Sequence, residues 1–203
     1  MAKTEAVAQP ETLAPRYLGP WVRFVVPALL GIVADLWVKG YSFPGGVDLT
    51  RSDNGLNPAT AFDGKPWVVI PNVLGFTTTV NRGAVFGTGQ GMGWLFIIFS
   101  FVALAAILWV FLRSRREQIW LQLALGLITA GAIGNLYDRL MFGGVRDMLK
   151  FYVSWYAYVF NVADVLLCIG VPLLMLCWLF QKDTPPNAEK AGYPAGPKRT
   201  ATS

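Results

Sequence analysis

The sequence predicts an all-α membrane protein of four transmembrane helices with a small extracytoplasmic β-rich segment. Hydrophobic residues make up 54% of the 203 residues, above the roughly 45–50% of soluble domains, and the mean hydropathy is +0.46. Only 14% of residues are charged. The apolar residues also gather in four runs of about 20, the length a helix needs to cross the hydrocarbon core.

Residues 1–20 are polar and contain Pro10, Pro15 and Pro20, so they read as a disordered cytoplasmic arm. The first span runs from Trp21 to Lys39. It is not a cleavable signal peptide, because a polar arm precedes it and Asp35 and Lys39 lie within its far end. Residues 40–91 form a first outer loop rich in Gly, Pro, Asn and Asp. Within it, Trp67–Ile70 and Phe76–Val80 flank the turn residues Pro71, Asn72 and Gly75 and predict a small sheet.

The second span covers 92–112 and ends at Arg113, Arg115 and Arg116. The third covers 119–138. Its Gly126, Ala130 and Gly134 recur every four residues, a spacing that lets helix backbones approach closely. A second outer loop, 139–160, holds aromatic residues from Phe151 to Phe160 that suit an interfacial belt. The fourth span covers 161–180, and 181–203 is a polar cytoplasmic tail. Residues 21–180 thus make one four-span domain.

Basic residues set the topology. Lys3, Arg16 and Arg23 flank the first span, three arginines fill the 113–116 loop, and Lys182, Lys190, Lys198 and Arg199 follow the last span. The positive-inside rule puts both termini in the cytoplasm and both outer loops outside. Arg139, Arg146 and Lys150 of the second outer loop run against this pattern. The net charge of +5 is accounted for by these flanks, and no basic–aromatic patch on a soluble region predicts nucleic-acid binding.

Cys168 and Cys177 are nine residues apart in one run, roughly 13 Å along a helix. That is too far for a disulfide, and they read as buried packing residues. Histidine is absent. This excludes Ser–His–Asp and Cys–His catalysis and His-ligated metal centres.

Ionisable groups in spans default to functional roles. Asp35, Asp138, Asp147 and Asp164 all map to the outer ends of spans or just beyond. Asp35 and Lys39 share a helix face and read as a structural ion pair. Asp138 shares a face with Gly134 and Asn135 and reads as part of a polar network closing the third span. Asp147 alone would be an ordinary loop charge, and Asp164 fits the third position of a helix capped by Asn161.

Two carboxylates close together in a poorly solvated site cannot both ionise cheaply, so the pair shares one proton. The ionised member can take a proton from an attacking water while the neutral member protonates the carbonyl oxygen or leaving amine. Such chemistry requires neither metal nor cofactor. Which two of the four aspartates meet is left open by spacing alone. A serine–lysine peptidase using Lys150 and Ser154 across one helical turn is a rival reading, but it leaves two aspartates without a task. A non-enzymatic scaffold or small transporter using intramembrane carboxylates is another.

Five blocks resemble the lipoprotein signal peptidase (signal peptidase II) family, in that family's order. Asp35-Leu36-Trp37-Val38-Lys39 is similar to its DxxxK, and Asn81-Arg82-Gly83-Ala84-Val85-Phe86-Gly87 to its NxGAxFG. Gly134-Asn135-Leu136-Tyr137-Asp138-Arg139 resembles GNxxDR, Val145-Arg146-Asp147 resembles VVD, and Phe160-Asn161-Val162-Ala163-Asp164 resembles FNxAD.

The resemblance implies an aspartyl endopeptidase of the bacterial inner membrane. It would remove signal peptides from prolipoproteins, cutting before a diacylglyceryl-modified cysteine, with that substrate and membrane lipids as partners. It implies Asp147 and Asp164 as the catalytic pair. Asn81, Gly83, Asn135, Asp138, Arg139 and Asn161 would shape the substrate site, with Asp35 and Lys39 supporting it. Oligomeric state has no signal in the sequence. The departures are Arg146 for a valine, where an adjacent cation is expected to depress the Asp147 pKa if it folds inward, together with Val85, Leu36 and a first outer loop longer over 41–66.

Overall fold

The computed structural model describes residues 13–44, 67–83, 92–153 and 156–180. Most of the terminal arm and tail, the longer loop over 45–66, Val85 and Ser154 lie outside the described residues. Four long apolar helices are present: α1 (Leu18–Ser42), α2 (Gly93–Arg113), α3 (Ile119–Phe142) and α4 (Val162–Leu179). Each is long and apolar enough to cross a membrane. They run past the expected boundaries at several ends, most at α3, which continues four residues beyond Asp138 before Gly143 ends it in the left-handed conformation at φ 62°.

α3 is the hub. It packs against α1, α4 and α2, and its span is far more buried than the other three. The small-residue stripe explains the first contact. A Cβ on Gly126 would strike the Phe24 carbonyl and Pro27 of α1, Ala130 nests on Gly31, and a Cβ on Gly134 would collide with the Asp35 carboxylate. Gly131 and Gly170 allow α4 equally close on another face. Since lipid is as apolar as leucine, close packing of this kind, rather than hydrophobic burial, is what joins spans. α2 packs chiefly on α3 and leaves a groove toward α4.

The β-rich segment is one antiparallel sheet in the order β1 (Trp67–Ile70), β2 (Leu74–Asn81), β3 (Val145–Val153), β4 (Tyr156–Phe160). The sequence predicts the first hairpin only. The second comes from the expected outer loop 139–160, which threads β3 alongside β2 and returns as β4. Phe151 and Tyr152 lie on β3, and Tyr156, Tyr158 and Phe160 on β4. Side chains of Val80 and Met148 on one sheet face pack with Phe43 at the end of α1.

Two other expectations are corrected. Residues 13–20 are ordered rather than part of a disordered arm. A 3-10 turn, Ala14–Arg16, leads into α1, and Ala14 N–H donates to Ser114 O at 2.8 Å. Trp21 Nε1 reaches Pro15 O at 3.2 Å, and Arg116 lies 4.7 Å from the centre of the Tyr17 ring. Backbone pairing to the α2–α3 loop supplies the order that composition does not reveal. Cys168 is exposed and Cys177 half-buried, because a spanning helix can leave apolar side chains facing outward instead of packing them inside.

Candidate active site

At the sheet end of the helices, charged side chains are buried in pairs. Lys39 Nζ lies 2.7 Å from Asp35 Oδ2 and 3.3 Å from Asp138 Oδ2, all three side chains being fully buried. Lys39 also donates to Gly134 O at 3.3 Å and to Asn135 Oδ1 at 3.4 Å. The other oxygen of Asp35 accepts the Ala163 N–H at 2.8 Å, joining α1 to the first turn of α4. Burying such charges is costly unless each is paired and hydrogen-bonded; here each is.

Strand alternation then separates two neighbours. Successive side chains of β3 point to opposite faces. Arg146 turns toward the end of α3, where its Nη2 and Nε donate to Asp138 Oδ1 at 2.8 and 3.2 Å, while its backbone N–H donates to Oδ2 at 2.9 Å. Its guanidinium also rests 4.3 Å from the centre of the Phe142 ring. Asp147 takes the opposite face, shared with Thr79 and Asn81 of β2, which pair with Asp147 and Val145 respectively.

The expected depression of the Asp147 pKa by Arg146 therefore does not occur. Burial, reinforced by the nearby Asp164 charge, pushes it up to about 7, against hydrogen bonds from Asn161 and Asn81. Asn81 is held for that contact by a turn in which its Oδ1 accepts the Gly83 N–H at 3.0 Å.

Asp164 enters from α4. Asn161 and Asp164 form a reciprocal capping box: Asp164 N–H donates to Asn161 Oδ1 at 3.0 Å, and Asn161 N–H donates to Asp164 Oδ2 at 3.2 Å. The capping reading is thus correct, yet it does not use up the residue. Asp164 Oδ1 faces inward and accepts Asn135 Nδ2 at 2.8 Å. Asn161 Nδ2 meanwhile donates to Asp147 Oδ1 at 2.6 Å and to Asn135 Oδ1 at 3.1 Å. Two asparagine amides therefore link the two aspartates, and Lys39 holds Asn135 from behind.

Both carboxylates open on the groove between α2, α3 and α4, a cavity of about 510 Å³. Its upper rim is polar, with Asn81, Gly83, Asn135 and Arg139. Its depth is apolar, with Phe99 and Ala103 of α2 and Leu167 and Val171 of α4. The arrangement suits an amphiphilic ligand whose reactive bond stays at the rim while its apolar part lies among the helices.

Of the residues singled out from sequence, Asn81, Gly83, Asn135, Arg139, Asp147 and Asp164 line the groove. Asn161 is buried just behind it, and Asp35, Lys39 and Asp138 form the charged layer below. Sequence reasoning missed Arg146 as the partner of Asp138, and Tyr158 and Val159 of β4 as walls of the groove. A cation next to an aspartate on a strand signals opposite faces, which could have found the first. Lys150 lies on a strand with its Nζ 5.0 Å from the Tyr152 ring centre. Lys150 is therefore not on a helix, and Ser154 lies outside the described residues.

Residues 28–180 match the family model described as signal peptidase (SPase) II. A lipoprotein signal peptidase of Desulfitobacterium hafniense (strain DSM 10664 / DCB-2) is 41% identical over 113 residues, covering 56% of this chain and 74% of that protein. Another, of Staphylococcus aureus (strain JH9), is 35% identical over 128 residues, covering 63% and 77%. Among solved structures, a bacterial membrane enzyme determined by the in meso method at 2.3 Å resolution superposes with a TM-score of 0.65. It is 26% identical, with 79% of this chain and 92% of that one covered.

Proposed function

We propose, since this chain belongs to the signal peptidase II family of aspartic-type peptidases, that it removes signal peptides from prolipoproteins with Asp147 and Asp164 as the catalytic pair. The observation that carries this assignment is the shared amide link, Asp147 to Asn161 to Asn135 to Asp164, at the rim of an apolar groove.

One proton divides the labour. Asp147, buried and pushed up to about 7, is suited to hold the proton and give it to the carbonyl oxygen or the leaving amine. Asp164 accepts N–H donors on both oxygens at the start of a helix, which suits it to carry the charge and draw a proton from water. The water oxygen attacks the scissile carbonyl as that proton leaves. The roles then reverse as the amine departs and the pair returns to one shared proton.

The cut is expected just before a diacylglyceryl-modified cysteine. An acyl chain and a signal helix can remain among α2, α3 and α4 while the bond beside them reaches the rim. By the basic residues at the opposite end, that rim belongs at the outer face of the inner membrane, with both termini cytoplasmic. The test is Asp147→Asn and Asp164→Asn, each assayed on a diacylglyceryl-modified precursor. Each is expected to lose turnover while remaining folded in detergent. Near-normal cleavage by either variant would overturn the assignment.

A further inference from the structure

Beside the groove lies a second recess, of about 300 Å³, framed by Arg82, Arg139, Gly143 and the first turn of α2 at Gly93, Trp94 and Ile97. We propose that this recess binds the phosphate of a membrane phospholipid, seating one headgroup next to the active-site rim.

The charge pattern carries the argument. Two guanidinium side chains line the recess and no carboxylate does, among the described residues. Arg139 Nη1 is engaged with Asn135 O at 3.3 Å. Arg82 differs, since its Nη2 is buried with no hydrogen-bond partner among the described residues. A buried cationic N–H without an acceptor is costly, and an anion would satisfy it.

The first turn of α2 adds to this. It has neither a side-chain cap nor an acidic residue, and Gly93 and Trp94 line the same recess, so the positive end of the helix dipole lies beside it. Below it, Trp94, Ile98, Phe99 and Val102 expose an apolar strip along α2. An anionic head above an apolar strip at one membrane depth fits a phospholipid better than a free anion. A thioether-linked diacylglyceryl substrate carries no phosphate, so this ligand is separate from the substrate.

The probes are phosphatidylglycerol, diacylglycerol with the same chains, and inorganic phosphate, each titrated into delipidated full-length protein in detergent and followed by native mass spectrometry. Phosphatidylglycerol is expected to bind one per protein, at least about tenfold more tightly than either control. Arg82→Gln is expected to weaken it about tenfold, with Arg82→Lys intermediate. Gly93→Glu supplies an internal carboxylate where a Cβ meets no atom within 4 Å. That variant is expected to lose the lipid while melting no lower than wild type, which separates lost binding from lost folding. Unchanged phosphatidylglycerol binding in well-folded R82Q and G93E would overturn the proposal. So would equal binding of diacylglycerol, or displacement of the lipid by inorganic phosphate at equal concentration.

Discussion

Asn161 holds Asp147 by a 2.6 Å hydrogen bond from its Nδ2, while its Oδ1 caps α4 through the N–H of Asp164. One side chain thus serves both helix start and carboxylate geometry, and the two duties can be separated. Asn161→Ser keeps an oxygen for the cap but has no amide to donate. Its melting temperature should stay near wild type, while kcat falls about 10–100-fold for the lost donor. Asn161→Ala should lose that rate and about 1 kcal/mol of stability as well. Parallel melting and cleavage assays check both, and equal stability of the Ser and Ala variants would refute the capping duty.

The pH dependence of cleavage follows from Asp147. If its protonated form gives the proton, activity should fall as pH rises through about 7. A rate that stays level from pH 6 to pH 9 would contradict the assigned acid.

The same burial has a consequence for stability, of opposite sign to a usual surface aspartate. From the ordinary value of 3.8, folding raises the Asp147 pKa to about 7. Between those values the folded chain binds a proton that the unfolded chain lacks, so stability is full below about pH 4 and declines as pH rises to about 7. Three units correspond to roughly 4 kcal/mol as an upper figure. Asp147→Asn removes that penalty. Denaturation from pH 4 to pH 8 should show the variant more stable than wild type at pH 8, with the gap narrowing toward pH 4.

Much of this molecule was legible from its sequence. Apolar runs bounded four spans because hydrophobic length is a direct requirement of the bilayer. The capping box was legible because Asn161 and Asp164 stand three apart. The link between Asp35 and the Ala163 N–H was not, since 128 residues separate them and the acceptor meets a backbone group without a sequence mark. The β3–β4 hairpin was missed because its aromatics and lysine suit a membrane surface as well as a strand. That miss carried the error about Arg146, whose direction depends on strand alternation.

Lys39 supports the carboxylates from below, and its removal should reveal how. Lys39→Met leaves Asp35 and Asp138 buried, with Asp35 retaining only the Ala163 N–H. A loss of about 3–5 kcal/mol is expected from breaking buried pairs on one side. Asp35→Asn should be milder, because its amide oxygen can still accept that N–H, and it should cost stability more than rate. Chemical denaturation with cleavage assayed on the surviving folded fraction distinguishes the two effects.

Arg146 offers the last test, because its role rests on direction rather than proximity. It sits next to Asp147 in sequence yet pairs with Asp138 through two side-chain hydrogen bonds. Arg146→Val should leave the pH midpoint of cleavage in place, since the guanidinium is not among the groups that set the Asp147 pKa. Stability should fall by roughly 3 kcal/mol, as Asp138 keeps only Lys39 and one backbone N–H. Adding Asp138→Asn to Arg146→Val should then cost less than the sum of the two single changes, because the buried charge that needed the arginine is gone. A midpoint that moves upward in Arg146→Val would mean the arginine does act on Asp147, and the alternation argument would fail with it.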